Sequence, residues 1–139
     1  MKIRKLQPAD IPHVLKLVRF NPAVEDYPGE FSQASFKQIL RSKRSIALVA
    51  EDKKPVAIAI FHLDPAKKKV FFEAIVVAKK YRRSGIGSRL IQKMEQLVRK
   101  KTYNHIVFLA WTWNKPMLAL GKKIKYKEKG TFVLFEKKI

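Results

Sequence analysis

Two adjacent stretches of the chain show the clearest hydrophobic pattern. Residues from Val70 to Val77 form an apolar run of strand length that is interrupted by one charge, Glu73. From residue 86 onward, apolar residues recur at steps of three and four, which predicts one buried face on a helix of about four turns. These residues are Ile86, Leu90, Ile91, Met94, Leu97 and Val98. A strand that leads into a long amphipathic helix is therefore the centre of the predicted fold.

Alternating strands and helices are predicted on both sides of this unit. In chain order they are a strand at 2–6, helices at 11–18 and 32–44, strands at 46–50 and 56–63, the central unit, a strand at 106–111, a helix at 114–123 and a hairpin at 124–139. Ser32 suits an N-cap, with Phe31 and Phe36 at the two positions of a hydrophobic staple. Asn114 suits the N-cap of the later helix, and Thr131 to Phe135 forms the final predicted strand.

Length and composition predict a single soluble domain, residues 1–139, with one core. No apolar run reaches the roughly 20 residues that span a bilayer, and the first residues lack the apolar core of a signal peptide, so we expect a cytoplasmic protein. The chain has no cysteine, which excludes disulfides and thiolate nucleophiles. Its three histidines are not spaced as ligand pairs, so no metal site is expected.

The charge of the chain is unusual. Lys and Arg number 31 against 11 Asp and Glu, which gives a net charge of +20. Such a field attracts polyanions, including nucleic acid and ribosomes, and speeds the capture of an anionic cofactor. A lysine-rich solvated surface explains the same number, and no RNA-binding motif accompanies the charge. Both interpretations stay open.

The turn between the central strand and helix has the composition of an anion site. Gly85 and Gly87 lack a Cβ, so the backbone can turn sharply and a ligand can approach it closely. The first amides of a helix have no partner within it and lie at the positive end of its dipole. With Arg82 and Arg83 beside them, these amides predict a phosphate or pyrophosphate ligand. The alternative is a strand-to-helix turn with a glycine for tight packing.

The sequence R-x-x-G-x-G at Arg82, Gly85 and Gly87, after an apolar strand and at the start of a helix, resembles the acetyl-CoA loop of the GNAT superfamily of N-acetyltransferases. The resemblance covers almost the whole chain. It implies an α+β fold with a mixed, mostly antiparallel sheet of about seven strands flanked by about four helices. It also implies that acetyl-CoA is the co-substrate. The cofactor-binding residues that it implies are Ile75, Val76, Val77, Arg82, Arg83, Ser84, Gly85, Ile86, Gly87, Ser88 and Asn114. The amides of residues 83–88 would hold the pyrophosphate, and the backbone near Val77 would hold the acetyl and pantetheine end.

The helix at 114–123 departs from the family pattern at one position. Many GNAT enzymes have a tyrosine there that gives a proton to the departing CoA thiolate, and this sequence has Gly121 instead. Tyr126 matches the phenylalanine that packs inward in the family. A positioned acid contributes about 10²- to 10⁴-fold to a rate, but a thiol titrates near about 8.5 and leaves readily as a thiolate. Loss of this donor is therefore expected to slow an enzyme without abolishing its activity.

Glu73 is the candidate base. Strict alternation along the strand places Glu73 on one face with residue 71 and Ile75, where many relatives place a carboxylate that deprotonates the amine through water. The alternative is a Glu paired with a lysine on an exposed sheet face. His62, on the preceding apolar strand, fits a core or edge histidine better than a catalyst.

Three acidic residues, Glu25, Asp26 and Glu30, lie close together in an otherwise basic chain. If the resemblance holds, this segment flanks the acceptor groove, and its negative charge would attract a cationic amine. The same acids could instead interact with the dipole of the helix that follows Ser32.

Three classes of function remain on the sequence alone. The first is an N-acetyltransferase that moves an acetyl group from acetyl-CoA directly to a primary amine, which is a protein α-amine, a lysine or a small amine. The second is a GNAT-fold module that binds CoA with little or no catalysis. The third is a basic protein associated with RNA or ribosomes. The sequence leaves the acceptor open, and it is compatible with a monomer or a homodimer.

Overall fold

A computed structural model of the protein describes residues 1–19 and 31–139. These residues form five strands and four α-helices, which confirms the α+β class. In chain order the elements are β1 Lys2–Lys5, α1 Ile11–Arg19, α2 Gln33–Arg41, β2 Ser45–Asp52, β3 Lys54–Asp64, β4 Lys69–Val77, α3 Ile86–Arg99, β5 His105–Phe108 and α4 Lys115–Lys123. Short 3-10 turns occupy Pro8–Asp10 and Lys79–Tyr81. None of the helices in the described residues is long and apolar enough to cross a bilayer.

The five strands form one sheet in the order β1-β2-β3-β4-β5. The first four strands are antiparallel to their neighbours, whereas β4 and β5 are parallel. Parallel neighbours need a crossover connection, and α3 provides it. The loop that precedes α3 therefore lies at the end of β4, next to the last pair of strands.

Helices cover both faces of the sheet, because β3 is apolar on both sides. On one face, α3 packs its apolar stripe against β3 and β4, and Leu90 and Met94 are fully buried. On the other face, α1 and α2 pack on the sheet through Val14 and Phe36, which are also fully buried. Burial of one such side chain stabilises the fold by about 1.5–3 kcal/mol.

Helix α2 begins as the sequence predicts. The Ser32 hydroxyl accepts a hydrogen bond from Ser35 N at 3.1 Å, and the Ser35 hydroxyl accepts one from Ser32 N at 2.8 Å. The rings of Phe31 and Phe36 lie on either side of this cap with centroids 6.0 Å apart, which confirms the staple.

A network of charged side chains connects β1 to the 3-10 turn that follows it and to β2. The Arg4 guanidinium donates to both Asp10 carboxylate oxygens, at 2.7 and 2.9 Å, and to Glu51 at 3.0 Å. Asp10 is only 5% exposed, and its carboxylate also accepts from Gln7 N. Hydrogen bonding from Arg4 holds the pKa of Asp10 below its ordinary value, although burial opposes the shift.

The last part of the chain differs from the prediction. The described residues give five strands rather than about seven, because the two strands of the expected hairpin at 124–139 do not form. In addition, β5 ends at Phe108 rather than at residue 111. Thr131 to Phe135 has no strand conformation, and the side chain of Phe135 is 89% exposed. An alternating apolar pattern becomes a strand only where a neighbour takes up its backbone hydrogen bonds and covers its apolar face.

Candidate functional site

The edge of β4 opens just before the predicted anion loop. The parallel pairing of β4 with β5 runs from Lys69–His105 to Phe72–Phe108 and ends there, whereas β4 continues to Val77 in contact with β3. Ala78 N donates to Val56 O at 2.8 Å, so alternation along the strand turns the amide of Val77 towards the other, open edge. This edge can accept an extended ligand through backbone hydrogen bonds.

The loop after β4 presents amides at the start of α3. Gly85 is the N-cap residue with φ +81°, and Arg83 also has a positive φ of 62°. The first bond of the helix runs from Arg89 N to Gly85 O at 3.1 Å. The amides of Ile86, Gly87 and Ser88 come before it and have no carbonyl to reach within the helix. No described heavy atom lies within 4 Å of a Cβ built on Gly85, so the space above this turn is open.

Contacts with the neighbouring strands hold the loop in place. Arg82 Nε donates to Val77 O at 3.0 Å, and the Ser84 hydroxyl donates to Tyr81 O. The Tyr81 hydroxyl donates to Asp52 at 2.6 Å, and this bond raises the pKa of Tyr81. Arg82, Arg83 and Ser84 are exposed. Two exposed arginines thus precede the helix amides in the loop.

Gly87 serves a different purpose from Gly85. A Cβ built on Gly87 would lie 3.4 Å from Ile75 Cδ1 and 3.4 Å from Leu120 Cδ2. Gly87 therefore allows the first turn of α3 to pack closely on β4 and α4, which was the alternative considered for these glycines. Only Gly85, among the described glycines, has a positive φ.

Glu73 lies in a β-bulge of β4. Ile60 pairs with Ala74, but the next residue, Phe61, pairs with Phe72, so Glu73 is the extra residue of β4. The predicted alternation is therefore wrong here, because the bulge shifts the side-chain pattern by one. Ile75 packs in the core on the α3 side, whereas Glu73 lies on the side of α2.

A cavity of about 290 Å³ lies between α2 and the sheet, and Glu73 is part of its wall. The wall consists of Phe31, Ser35, Gln38, Ile39, Ser42, Ser45, His62 and Glu73. Glu73 Oε2 lies 3.1 Å from His62 Nε2, and His62 Nδ1 lies 2.9 Å from the Ser45 hydroxyl. Glu73 is thus paired with a histidine. Sequence analysis did not identify Ser45 as part of this site. Ser45 pairs directly with His62 in the β2–β3 hairpin, so the register of that hairpin is the signal that could have located it.

Asn114 caps α4, as the sequence predicts. Its side-chain oxygen accepts a hydrogen bond from Met117 N at 3.3 Å. The described contacts of Asn114 lie within α4 and the turn before it, where Asn114 N donates to Trp111 O and Asn114 O accepts from Leu118 N.

The position of the missing tyrosine is closed by packing. Gly121 is buried, and a Cβ built on it would lie 3.0 Å from Cζ of Phe108. Tyr126 packs its ring against Phe108 with centroids 5.5 Å apart and donates its hydroxyl to Glu95 at 3.0 Å. Burial, together with the charge of Glu95, raises the pKa of Tyr126 well above its ordinary value. Tyr126 is therefore a packing residue with a satisfied hydroxyl.

Glu25, Asp26 and Glu30 lie outside the described residues. Within residues 1–19 and 31–139, no three His, Asp or Glu side chains are grouped closely enough to hold a metal ion.

Comparison with protein families identifies the arrangement. The model of the acetyltransferase (GNAT) family matches residues 14–126, which includes the loop, Glu73, His62 and α4. The chain belongs to the GNAT family of acetyltransferases. It is accordingly an acyl-CoA N-acyltransferase, and acetyl-CoA is its co-substrate. Comparison with curated proteins gave no significant match.

Solved structures of GNAT proteins share the fold over nearly the full chain. An aminoglycoside acetyltransferase from an uncultured soil metagenomic sample, in complex with sisomicin, is 19% identical with a TM-score of 0.78, and the match covers 99% of this chain and 95% of that one. The aminoglycoside N-acetyltransferase AAC(6')-Iy in complex with CoA is 16% identical with a TM-score of 0.81, covering 99% and 100%. The ribosomal-protein-S18-alanine N-acetyltransferase from Escherichia coli is 18% identical with a TM-score of 0.77, covering 93% and 79%.

Proposed function

We propose that this GNAT protein transfers an acetyl group from acetyl-CoA directly to a primary amine, with residues 82–88 and the open edge of β4 as the CoA site and Glu73 as the base. One observation carries the proposal. A single strand, β4, presents Glu73 at the point where its edge opens and leads at its end into a loop of unsatisfied helix amides. This arrangement supports a site in which amine chemistry and pyrophosphate binding share one edge.

The loop suits a pyrophosphate for two reasons. The positive φ of Gly85 turns the amides of residues 86–88 towards open space, where they and the helix dipole favour an anion. Arg82 and Arg83 add charge that the pyrophosphate would neutralise. Val76 is buried in the core on the α1–α2 side and contributes only its backbone, whereas Asn114 supports the site by beginning α4.

Acetyl-CoA supplies an activated thioester carbonyl, and the residues of the chain do the rest. Glu73 accepts the proton that the amine loses as its nitrogen forms a bond to the acetyl carbon and the carbon–sulfur bond breaks. The amide of Val77 donates to the acetyl oxygen, where negative charge develops. CoA leaves as the thiolate, since Gly121 offers no proton and a thiol of pKa near about 8.5 is a fair leaving group.

The cavity beside Glu73 is the proposed acceptor site. Three serines, Gln38 and His62 supply hydroxyl, amide and imidazole groups, so its wall suits a polar amine better than an apolar one. An α-amine with a pKa of about 7.7–8.0 is neutral far more often at pH 7 than a lysine with a pKa of about 10.4. The difference in pKa and the polar wall favour an α-amine or a small polar amine over lysine as the acceptor. Among proteins with the same fold, one acts on aminoglycosides and another on a ribosomal protein, so the fold is compatible with a small amine or a protein amine.

Amine-dependent release of free CoA from acetyl-CoA tests the proposal. The wild-type protein is expected to release CoA with at least one member of a panel of aminoglycosides, polyamines and peptides with free N-termini. Glu73→Gln should lower kcat by about 10²- to 10⁴-fold and leave the Kd of CoA unchanged. Binding of CoA without release from any amine would favour the CoA-binding module without catalysis, and equal rates of wild type and Glu73→Gln would remove Glu73 as the base.

A further inference from the structure

We propose that His62 is a positioning residue for Glu73, and that Ser45 holds the imidazole in place through its other nitrogen. The proposal rests on the role of Glu73 in the function proposed above. In this proposal the hydrogen-bonded series Ser45–His62–Glu73 holds the carboxylate of the base in one orientation at the wall of the cavity.

The distances define the donors. A carboxylate only accepts hydrogen bonds, so the 3.1 Å contact between Glu73 Oε2 and His62 Nε2 requires a proton on Nε2. In the neutral ring Nδ1 is then the acceptor, and the Ser45 hydroxyl, 2.9 Å away, is its donor. Each group of this series thus has a matching partner. Glu73, which only accepts, sets the tautomer of His62, and the Ser45 hydroxyl, which can donate or accept, satisfies Nδ1.

The backbone explains why the base needs such a support. Glu73 is the extra residue of a bulge, so no residue of β3 is in register with it. Its side chain is 22% exposed and that of His62 is 36% exposed, so water competes for both groups. His62 lies on regular strand β3 between its two cross-strand neighbours, Ser45 on β2 and Phe71 on β4, and provides a fixed donor.

The hydrogen bonds of Ser45, His62 and Glu73 also tolerate protonation of the imidazole. If the imidazole takes a second proton, Nδ1 becomes a donor, and the Ser45 hydroxyl can rotate and accept from it. The bond from Nε2 to Glu73 persists in both states. Of the residues that form the wall of the cavity, His62 and Glu73 are the titratable ones.

Two isosteric substitutions separate positioning from folding. In His62→Gln the amide nitrogen lies close to the former Nε2 and can still donate to Glu73, whereas in His62→Asn the polar atoms lie near the former Nδ1 and face Ser45. His62→Asn is expected to lower kcat by about 10- to 100-fold, the effect of losing one hydrogen bond to a charged group, with KM for acetyl-CoA unchanged. His62→Gln should recover most of the lost rate. His105→Asn, at an exposed histidine, is the matched control and should leave kcat unchanged.

A spectroscopic measurement tests the geometry apart from the rate. The chain has three histidines, so the imidazole nitrogens of His62 can be assigned in a nitrogen-15 NMR spectrum by comparison with His62→Gln. The neutral ring should carry its proton on Nε2, and Glu73→Gln, whose amide can donate or accept, should allow the tautomers to mix. Equal kcat in wild type and His62→Asn, or a neutral ring protonated on Nδ1, would overturn the positioning role while leaving amine-dependent CoA release in place. Absence of CoA release in the wild type would overturn the proposed function and, with it, this role.

Discussion

The tip of the Phe108 ring points at Gly121, and a Cβ at position 121 would come within 3.0 Å of Cζ of that ring. The ring itself is held by Phe72 and Tyr126, with centroids 5.5 Å away from each. The glycine at the position of the family's tyrosine is therefore matched to a phenylalanine on β5. A tyrosine could return to position 121 only if the residue at 108 became smaller.

This contact predicts that Gly121→Ala destabilises the protein by about 1 kcal/mol, because the added methyl group must displace a packed ring. The sign is informative, since Gly→Ala inside a helix ordinarily stabilises by about 0.5–1 kcal/mol. Chemical denaturation of the wild type, Gly121→Ala, Phe108→Leu and the double variant measures the coupling energy between positions 121 and 108. If Gly121→Ala stabilises the wild type as much as it stabilises the Phe108→Leu protein, the ring does not limit the site.

Gly85 and Gly87 should respond differently to alanine. Gly85→Ala places a Cβ on a residue with φ +81°, which is expected to cost about 1–2 kcal/mol of stability and to weaken CoA binding by distorting the amides of α3. Gly87→Ala, with contacts of 3.4 Å and an ordinary φ, should change stability by less than Gly85→Ala does. Denaturation and calorimetric titration with CoA give both quantities.

Gly130→Ala is the control for these variants, because no described atom lies within 4 Å of a Cβ built there. Its stability and CoA affinity should equal those of the wild type. A Gly85→Ala protein with wild-type affinity for CoA would show that the loop is not the pyrophosphate site.

Local sequence patterns were sufficient for the parts of this fold that local forces decide. The stripe from Ile86 to Val98 fixes α3, and Ser32 fixes the start of α2, because periodicity and capping involve residues close in sequence. The loop that we propose for the cofactor was predicted for the same reason, since its glycines and arginines are adjacent in sequence to the helix that they begin.

The environment of Glu73 could not be predicted in this way. A bulge depends on the register between β3 and β4, and one extra residue changes the face on which every later side chain lies. The packing of Phe108 on Gly121 likewise joins two elements that are separate in sequence. Such relationships are set by tertiary contacts, which a one-sequence pattern does not contain.

The lowered pKa of Asp10 predicts that the free energy of unfolding depends on pH. Its pKa is lowered from 3.8, so the unfolded state binds the proton more readily than the folded state does. The stabilisation by Asp10 is therefore complete above about pH 5 and is lost as the pH falls below 3.8 through the folded pKa. At pH 7, Asp10→Asn should cost about 1–3 kcal/mol, and the gap to the wild type should narrow towards pH 2.

Denaturation curves from pH 7 to pH 2 measure that gap. Asp64→Asn, at an exposed aspartate whose carboxylate accepts from Lys67 N at 3.2 Å, is the control and should lie close to the wild type throughout. A gap between wild type and Asp10→Asn that stays constant from pH 6 to pH 2 would contradict the role of Asp10.

The exposed end of the chain gives a stability prediction of its own. Phe135 is 89% exposed, so Phe135→Ser should change the free energy of unfolding by less than about 0.5 kcal/mol. Phe36→Ala, at a fully buried ring, should cost about 3–5 kcal/mol under the same conditions. A loss of about 2 kcal/mol or more from Phe135→Ser would mean that the Phe135 side chain is buried in solution, and it would support the predicted final strand.

A crystal structure of the protein with bound CoA tests the central claim most directly. We predict pyrophosphate oxygens at about 2.7–3.2 Å from amides of residues 83–88, the pantetheine arm along the open edge of β4, and the thiol close to Val77 and Glu73. A pyrophosphate bound elsewhere on the protein, or a thiol remote from the edge of β4, would contradict both the site and the reaction proposed for it.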